Sequence, residues 1–226
     1  MTHGPLVDPA DVPAWMGKLV EATRDLDPDL FRRLSPPDHV IARDAAVLIL
    51  LGEGPGGPDV LLLRRSDDLG SHAGQVAFPG GKADEGDDFP IGTAIREAVE
   101  ETGVLPEGVL PVAVMPALYV PVSKFLVTPV LAHWQQPSPV CAVDPAETAA
   151  VARIPMDHLA DPANRFMVRH PLGFTGPAFS APGMLVWGFT AALLTVVLAA
   201  GGWDRPWDQS DVRELDVAWR SSRPEV

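Results

Sequence analysis

The 226-residue chain has a single cysteine, Cys141, so no disulfide can form within it, which matches a reducing compartment. Lysine is scarce too: Lys18, Lys82 and Lys124 are the whole complement. Seventeen Lys and Arg face 30 Asp and Glu, for a net charge of −13. That balance offers no basic patch and no basic amphipathic helix, which argues against nucleic-acid and membrane partners. Phosphate groups would have to be met through metal ions or a few placed arginines. Membrane-length apolar runs are also lacking. Leu185–Ala200 carries no charge, but it falls short of the ~20 residues of a spanning helix. Bounded by Pro182-Gly183 and Gly201-Gly202, it reads as a buried core helix. The start, Met1-Thr2-His3-Gly4-Pro5, has no charged segment leading into an apolar one. No signal peptide is expected, and the location reads as cytoplasmic.

The hydrophobic fraction of 46% and charged fraction of 21% are those of a folded globular protein. Three regions are expected: a helical extension at 1–40, a main domain at 41–202 and a polar, partly ordered tail at 203–226. In the first, Val12, Trp15, Met16, Leu19 and Val20 recur at helical spacing through about Leu26, and Pro28, Pro36 and Pro37 break the stretch after it. Ala45–Leu51 and Asp59–Arg65 read as strands. The glycine-rich residues 52–58 between them lack a following Gly-Lys-Ser/Thr and read as a hairpin rather than a phosphate loop. Further strands are expected at Gly74–Phe78, Val109–Met115, Phe125–Trp134, Ala149–Ile154 and Phe174–Phe179, with helices at 88–101, 155–159 and 185–200. Interspersed in this way, they imply an α+β fold with helices packed on a mixed sheet.

The chemistry concentrates between Phe78 and Val104. Phe78-Pro79-Gly80-Gly81-Lys82 leads through Asp84, Asp87 and Asp88 into a helix bearing Arg96, Glu97, Glu100 and Glu101. Asp87 or Asp88 stands where an N-cap is expected, Pro90 falls in the first turn, and Thr102-Gly103 forms the stop. Glutamates at i, i+3 and i+4 share one helical face and repel one another, unless a cation or solvent screens them. Oxygen ligands at that spacing suit Mg²⁺ or Mn²⁺. Arg96 is expected to pair with a carboxylate across the loop, Asp87 first among them. Ile91, Ala94, Ile95, Ala98 and Val99 would dock the helix on the sheet. The plain alternative for the acids is a solvated helix face.

Residues Arg96 to Val104 resemble the end of the Nudix box, G-x5-E-x7-R-E-U-x-E-E-x-G-U, where U is aliphatic and Ala98 is a small version of it. With Gly81 as the first glycine, the loop is one residue longer than the pattern, and Asp87 replaces the first glutamate. That variation resembles the coenzyme A diphosphatase subgroup. So does the stretch Leu62–Gly81, in which Arg65, Ser66, Gly74 and Phe-Pro-Gly-Gly match that subgroup's upstream pattern. The pattern's threonine and second arginine are absent, and Gly70 takes the arginine's place.

The resemblance implies a Nudix-type α/β/α sandwich with a mixed central sheet. It implies Glu97, Glu100 and Glu101 as metal ligands and catalytic groups, with Arg96 beside them and a backbone carbonyl near Gly80 or Gly81 assisting. Arg65, Lys82 and His72 become candidates for substrate contact, with a solvated role beside Arg65 and Lys82 and a loop cap beside His72, and Glu147 becomes a candidate general base on a loop, beside a solvated acid. The implied cofactor is Mg²⁺ or Mn²⁺. The implied partner is a small nucleotide-containing substrate, and the 1–40 extension leaves a homodimer open. Three functions remain: hydrolysis of coenzyme A or acyl-coenzyme A to 4′-phosphopantetheine and 3′,5′-ADP; pyrophosphatase action on ADP-ribose, NADH or (d)NTPs; and ligand binding without catalysis. All three box glutamates are present, which sets the last apart. Cys141 has no local nucleophile signature, and no Cys or His pair has zinc spacing. Trp187 and Phe189 are read as core, as are Tyr119 and Phe125.

Overall fold

The structure is a computed structural model that describes residues 3–26 and 40–222. The proline breakers at 28, 36 and 37 lie outside the described residues. The central strand β2 (Arg43–Gly54) runs parallel to β8 (Phe125–Trp134) and antiparallel to β3 (Gly57–Arg65). The hairpin between β2 and β3 turns at Pro55-Gly56, and Gly57 takes φ +91°, where a side chain would strain the backbone. β9 (Thr148–Pro155) pairs with the other edge of β3, and β6 (Val109–Val114) with β8. The result is the expected mixed sheet.

β2 is nearly continuously apolar because both of its faces are covered. Ala46, Leu48 and Leu50 pack with Ala94 and Ala98 of α2 (Ile91–Thr102). Ile49 and Leu51 face the other way, toward α1 (Ala14–Ala22) and α4 (Gly188–Gly201). This is a three-layer α/β/α arrangement. Met16, Leu19 and Val20 of α1 are buried in the same core as α4, so the N-terminal helix is part of the sandwich.

Three expectations need correction. The apolar run from Leu185 does not begin as helix: Met184–Val186 form β12, paired with β11 (Thr175–Ala181) through the Pro182-Gly183 turn. A buried strand and a buried helix share one composition, and here the turn decides. The expected strand at Gly74–Phe78 is shorter, β4 (Val76–Ala77), and a separate strand the sequence did not suggest follows it, β5 (Gly80–Lys82). Within the described residues, the polar segment from Trp203 to Ser222 is built into the fold. β13 (Val212–Glu214) adds in parallel to β10 (Arg165–Arg169), and α5 (Leu215–Ser222) packs on the second sheet they form with β11 and β12. No helix among the described residues is long and apolar enough to cross a membrane.

Candidate active site

β5 lies along β2, with Gly81 opposite Ala46 and Gly80 opposite Val47. A Cβ on Gly80 would collide with the Ala46 carbonyl. A Cβ on Gly81 would stand 2.5 Å from the Glu97 carboxylate. The two glycines therefore let β5 pass between β2 and the acidic side of α2. Gly103 closes α2 with φ +68° and donates its N–H to Val99, as the sequence implies. The start differs from expectation. The N-cap is Pro90, without a side-chain cap, and the Asp88 carbonyl accepts the Gly92 N–H at 2.6 Å.

Asp87 is free for another task. Arg96 donates from Nε and Nη2 to the two Asp87 oxygens at 3.1 and 2.9 Å. Thr93 Oγ1 donates to Asp87 at 2.8 Å, and the Asp84 N–H at 3.0 Å. These donors hold the Asp87 carboxyl well below the usual carboxylate range, the Arg96 guanidinium first among them. The rest of Arg96 reaches Glu97 at 3.0 Å, Glu100 at 3.1 Å and the Lys82 carbonyl at 3.1 Å. Among the described residues no three acidic, His or Cys side chains converge into a ready-made metal cage. Arg96 occupies the space between Glu97 and Glu100.

Glu101 is the most enclosed of the three, with its side chain 10% exposed. It accepts the Gly80 N–H at 2.9 Å, and Arg65 Nη1 lies 3.9 Å away. Burial first, then the charges of Glu97 and Glu147, push its carboxyl up to about 7 against those two donors. Burial also raises Glu97, which Arg96 partly offsets. Glu100 is exposed.

Glu147 sits one residue before β9, and its backbone carbonyl accepts the Ser66 N–H at 2.8 Å. That bond carries its exposed carboxylate to where its field acts on Glu101. Arg65 faces the same cluster. Lys82 points outward to Asp84 at 2.9 Å. His72, with φ +56°, bonds Gln75 at 3.0 Å, and none of its contacts is with the carboxylates. Sequence reasoning missed Thr93 and gave Asp84 no role. Thr93 stands three residues before Arg96 on one helix face, a spacing that pointed to it. Tyr119 is buried, Phe189 packs partly buried against the α1–α4 core, Phe125 lies half-buried under Arg43, and Cys141 is exposed. Trp187 precedes α4 rather than lying in it, and packs against the second sheet.

The site is thus an acidic helix strapped to a glycine strand on a mixed sheet, a strand–loop–helix unit. The chain belongs to the Nudix family: the NUDIX domain model matches residues 42–170. A Photorhabdus laumondii protein described as an uncharacterized Nudix hydrolase, NudL, is 35% identical over 173 residues, covering 72% of this chain and 88% of its own. NudL of Yersinia pestis is 36% identical over 175 residues, covering 72% and 86%. The crystal structure of the Nudix hydrolase RenU from M. smegmatis aligns with a TM-score of 0.51 at 20% identity, over 74% of this chain and 90% of that one, which is a likeness of fold. The protein is therefore a Nudix hydrolase, an enzyme class that cuts pyrophosphate bonds with divalent metal ions.

Proposed function

We propose that the substrate is coenzyme A or acyl-coenzyme A, cut at its diphosphate to release 3′,5′-ADP and the phosphopantetheine half. One observation carries this reading. The stretch Leu62–Gly81, which holds the subgroup's Arg65, Ser66, Gly74 and Phe-Pro-Gly-Gly, runs beside the acidic helix. Arg65 Nη1 stands 3.9 Å from Glu101, and the Gly80 N–H bonds that same carboxylate.

Glu97, Glu100, Glu101 and the Gly81 carbonyl are the proposed ligands of Mg²⁺ or Mn²⁺. The donors are all hard oxygens. The Glu101 carboxylate is buried, and the Glu97 carboxylate stands so close to Gly81 that a side chain there would collide with it. The bound ion would neutralise the diphosphate and activate water. Arg96, anchored on Asp87, orients Glu97 and Glu100. Arg65 engages phosphate oxygens, Lys82 does so only on turning away from Asp84, and His72 meets a more distant part of the substrate. Glu147 accepts the proton of the attacking water as its oxygen bonds phosphorus and the bridging P–O bond breaks.

A second reading keeps this chemistry with ADP-ribose, NADH or a (d)NTP. It draws on Gly70, which stands in open space where the coenzyme A pattern has arginine. The test is a hydrolysis screen with Mg²⁺ and Mn²⁺, offering coenzyme A, acyl-coenzyme A, ADP-ribose, NADH and dNTPs beside Glu100→Gln. Coenzyme A cleavage that disappears in the variant supports the first reading. Preference for another nucleotide supports the second.

A further inference from the structure

Thr148, at the start of β9, is 1% exposed, and its hydroxyl is buried with no hydrogen-bond partner among the described residues. Its backbone is fixed on both sides. The Thr148 N–H donates to the Asp144 carbonyl at 2.8 Å, and the preceding Glu147 carbonyl accepts the Ser66 N–H at 2.8 Å. In the β3–β9 pair Thr148 stands opposite Arg65, while Arg64 faces Ala150, so the exposed Ala149 is bulged out between them. A bulge re-aims the side chain beside it. Residues opposite one another in an antiparallel pair share a face of the sheet, with Cβ atoms about 5 Å apart. Thr148 is thereby set on the side of Arg65, toward Glu101.

Arg65 carries a second unpaired atom. Its Nε is buried without a hydrogen bond, and its Nη1 stands 3.9 Å from Glu101 Oε1, too far for a direct one. The Gly80 N–H holds Glu101 by Oε2 at 2.9 Å, and Oε1 has no direct hydrogen bond among the described residues. Polar groups held at such a distance are commonly joined through water.

From these positions we infer that Thr148 is a positioning residue for Glu101: its hydroxyl, Arg65 Nε and Glu101 Oε1 together bind one buried water. The water accepts from Arg65 Nε and Thr148 Oγ1 and donates to Oε1. Buried waters typically make about three bonds to groups that are otherwise unsatisfied. Glu101 is then held at both oxygens, by Gly80 at one and by the water at the other, and cannot swing about its side-chain axis. A carboxylate oxygen has two lone pairs, so Oε1 can take this bond and still face a metal ion. The inference deepens the proposed metal role of Glu101 and rests on it.

The test uses the full-length protein without substrate, reading Mn²⁺ affinity by calorimetry and melting temperature in the absence of metal. Thr148→Val keeps the side-chain shape and removes the hydroxyl. It should weaken Mn²⁺ binding about tenfold, because the ligand loses its orienting group. It should also lower the melting temperature by roughly 2–4 °C, because Arg65 Nε loses part of its hydrogen bonding. Thr148→Ser, which restores the hydroxyl, should bind Mn²⁺ within about threefold of wild type. Arg65→Lys, which keeps the charge without an Nε–H, should weaken Mn²⁺ to a similar degree and serves if Thr148→Val does not fold. The inference is overturned if Thr148→Val melts at or above the wild-type temperature with unchanged Mn²⁺ affinity, since the hydroxyl is then idle. It is equally overturned if the Val and Ser variants lose affinity alike, or if Arg65→Lys binds as wild type does. Unchanged Mn²⁺ affinity in Glu101→Gln instead rejects Glu101 as a metal ligand, the reading beneath it.

Discussion

Arg96 grips both carboxylate oxygens of Asp87, at 3.1 and 2.9 Å, and from that anchorage extends its remaining nitrogen to Glu97 and Glu100. If Glu97 and Glu100 hold the metal as proposed, a residue that fixes their orientation should matter about 10–100-fold. Asp87→Asn should therefore lower kcat about tenfold or more and weaken Mg²⁺ dependence, with α2 still folded. Asp87→Glu should recover part of the loss. Steady-state kinetics with metal titration checks this, and wild-type kinetics in Asp87→Asn would remove the anchor from the mechanism.

Gly70 lies in open space, with no atom near the position of an added Cβ, and its φ is not in the left-handed region. Gly70→Arg should fold with a melting temperature within a degree or two of wild type. If the coenzyme A reading holds, it should lower KM for coenzyme A severalfold with kcat unchanged, because a charge-assisted phosphate contact is gained. An unchanged KM would mean the missing arginine has no partner on this substrate.

His133 on β8 sits edge-on to Trp15 of α1, with ring centroids 5.9 Å apart, and its Nδ1 is buried without a hydrogen bond. Burial lowers its pKa below the ordinary value near 6.5, against the pull of Glu53. A lowered folded pKa means stability fully present above ~6.5 and lost as pH falls from there through the folded value. Melting temperature should drop between pH 7.5 and pH 5.5. His133→Gln, which cannot charge, should show a smaller drop, and parallel curves would rule out His133 as a source.

Arg165, its side chain 1% exposed, pairs with Asp204 and lies 4.7 Å from the Trp207 ring centre. Asp204→Ala would leave a buried charge without its partner, at a cost of about 3 kcal/mol. Urea unfolding should show that loss as a lower midpoint, shifted by the loss divided by an unchanged slope. A loss under ~1 kcal/mol would show that solvent reaches Arg165 once Asp204 is gone.

Local patterns were legible where one segment carried its own signal. The helix stop at Gly103, the hairpin at residues 52–58 and the pairing of Arg96 with Asp87 each arise from residues a few positions apart. The start of α2 was not, because Asp87 is equally apt as a cap and as an ion-pair partner, and Arg96 takes it. β12 and α4 share one apolar run, and only the β11 pairing separates strand from helix. β13 and α5 are polar and short, so their order comes from contacts with β10 and β12 rather than from their own composition.

The sequence by itself determined the family, the acidic helix and the residues of the box, because fixed spacing on one helix carries that information without any long-range contact. The tertiary structure decided the rest. Only folding brings Glu147 beside Glu101 across more than 40 residues of chain, buries Glu101 until its proton affinity rises to about 7, and closes a cleft between β9 and the C-terminal helix. Burial and field are properties of the packed assembly, to which distant segments contribute jointly.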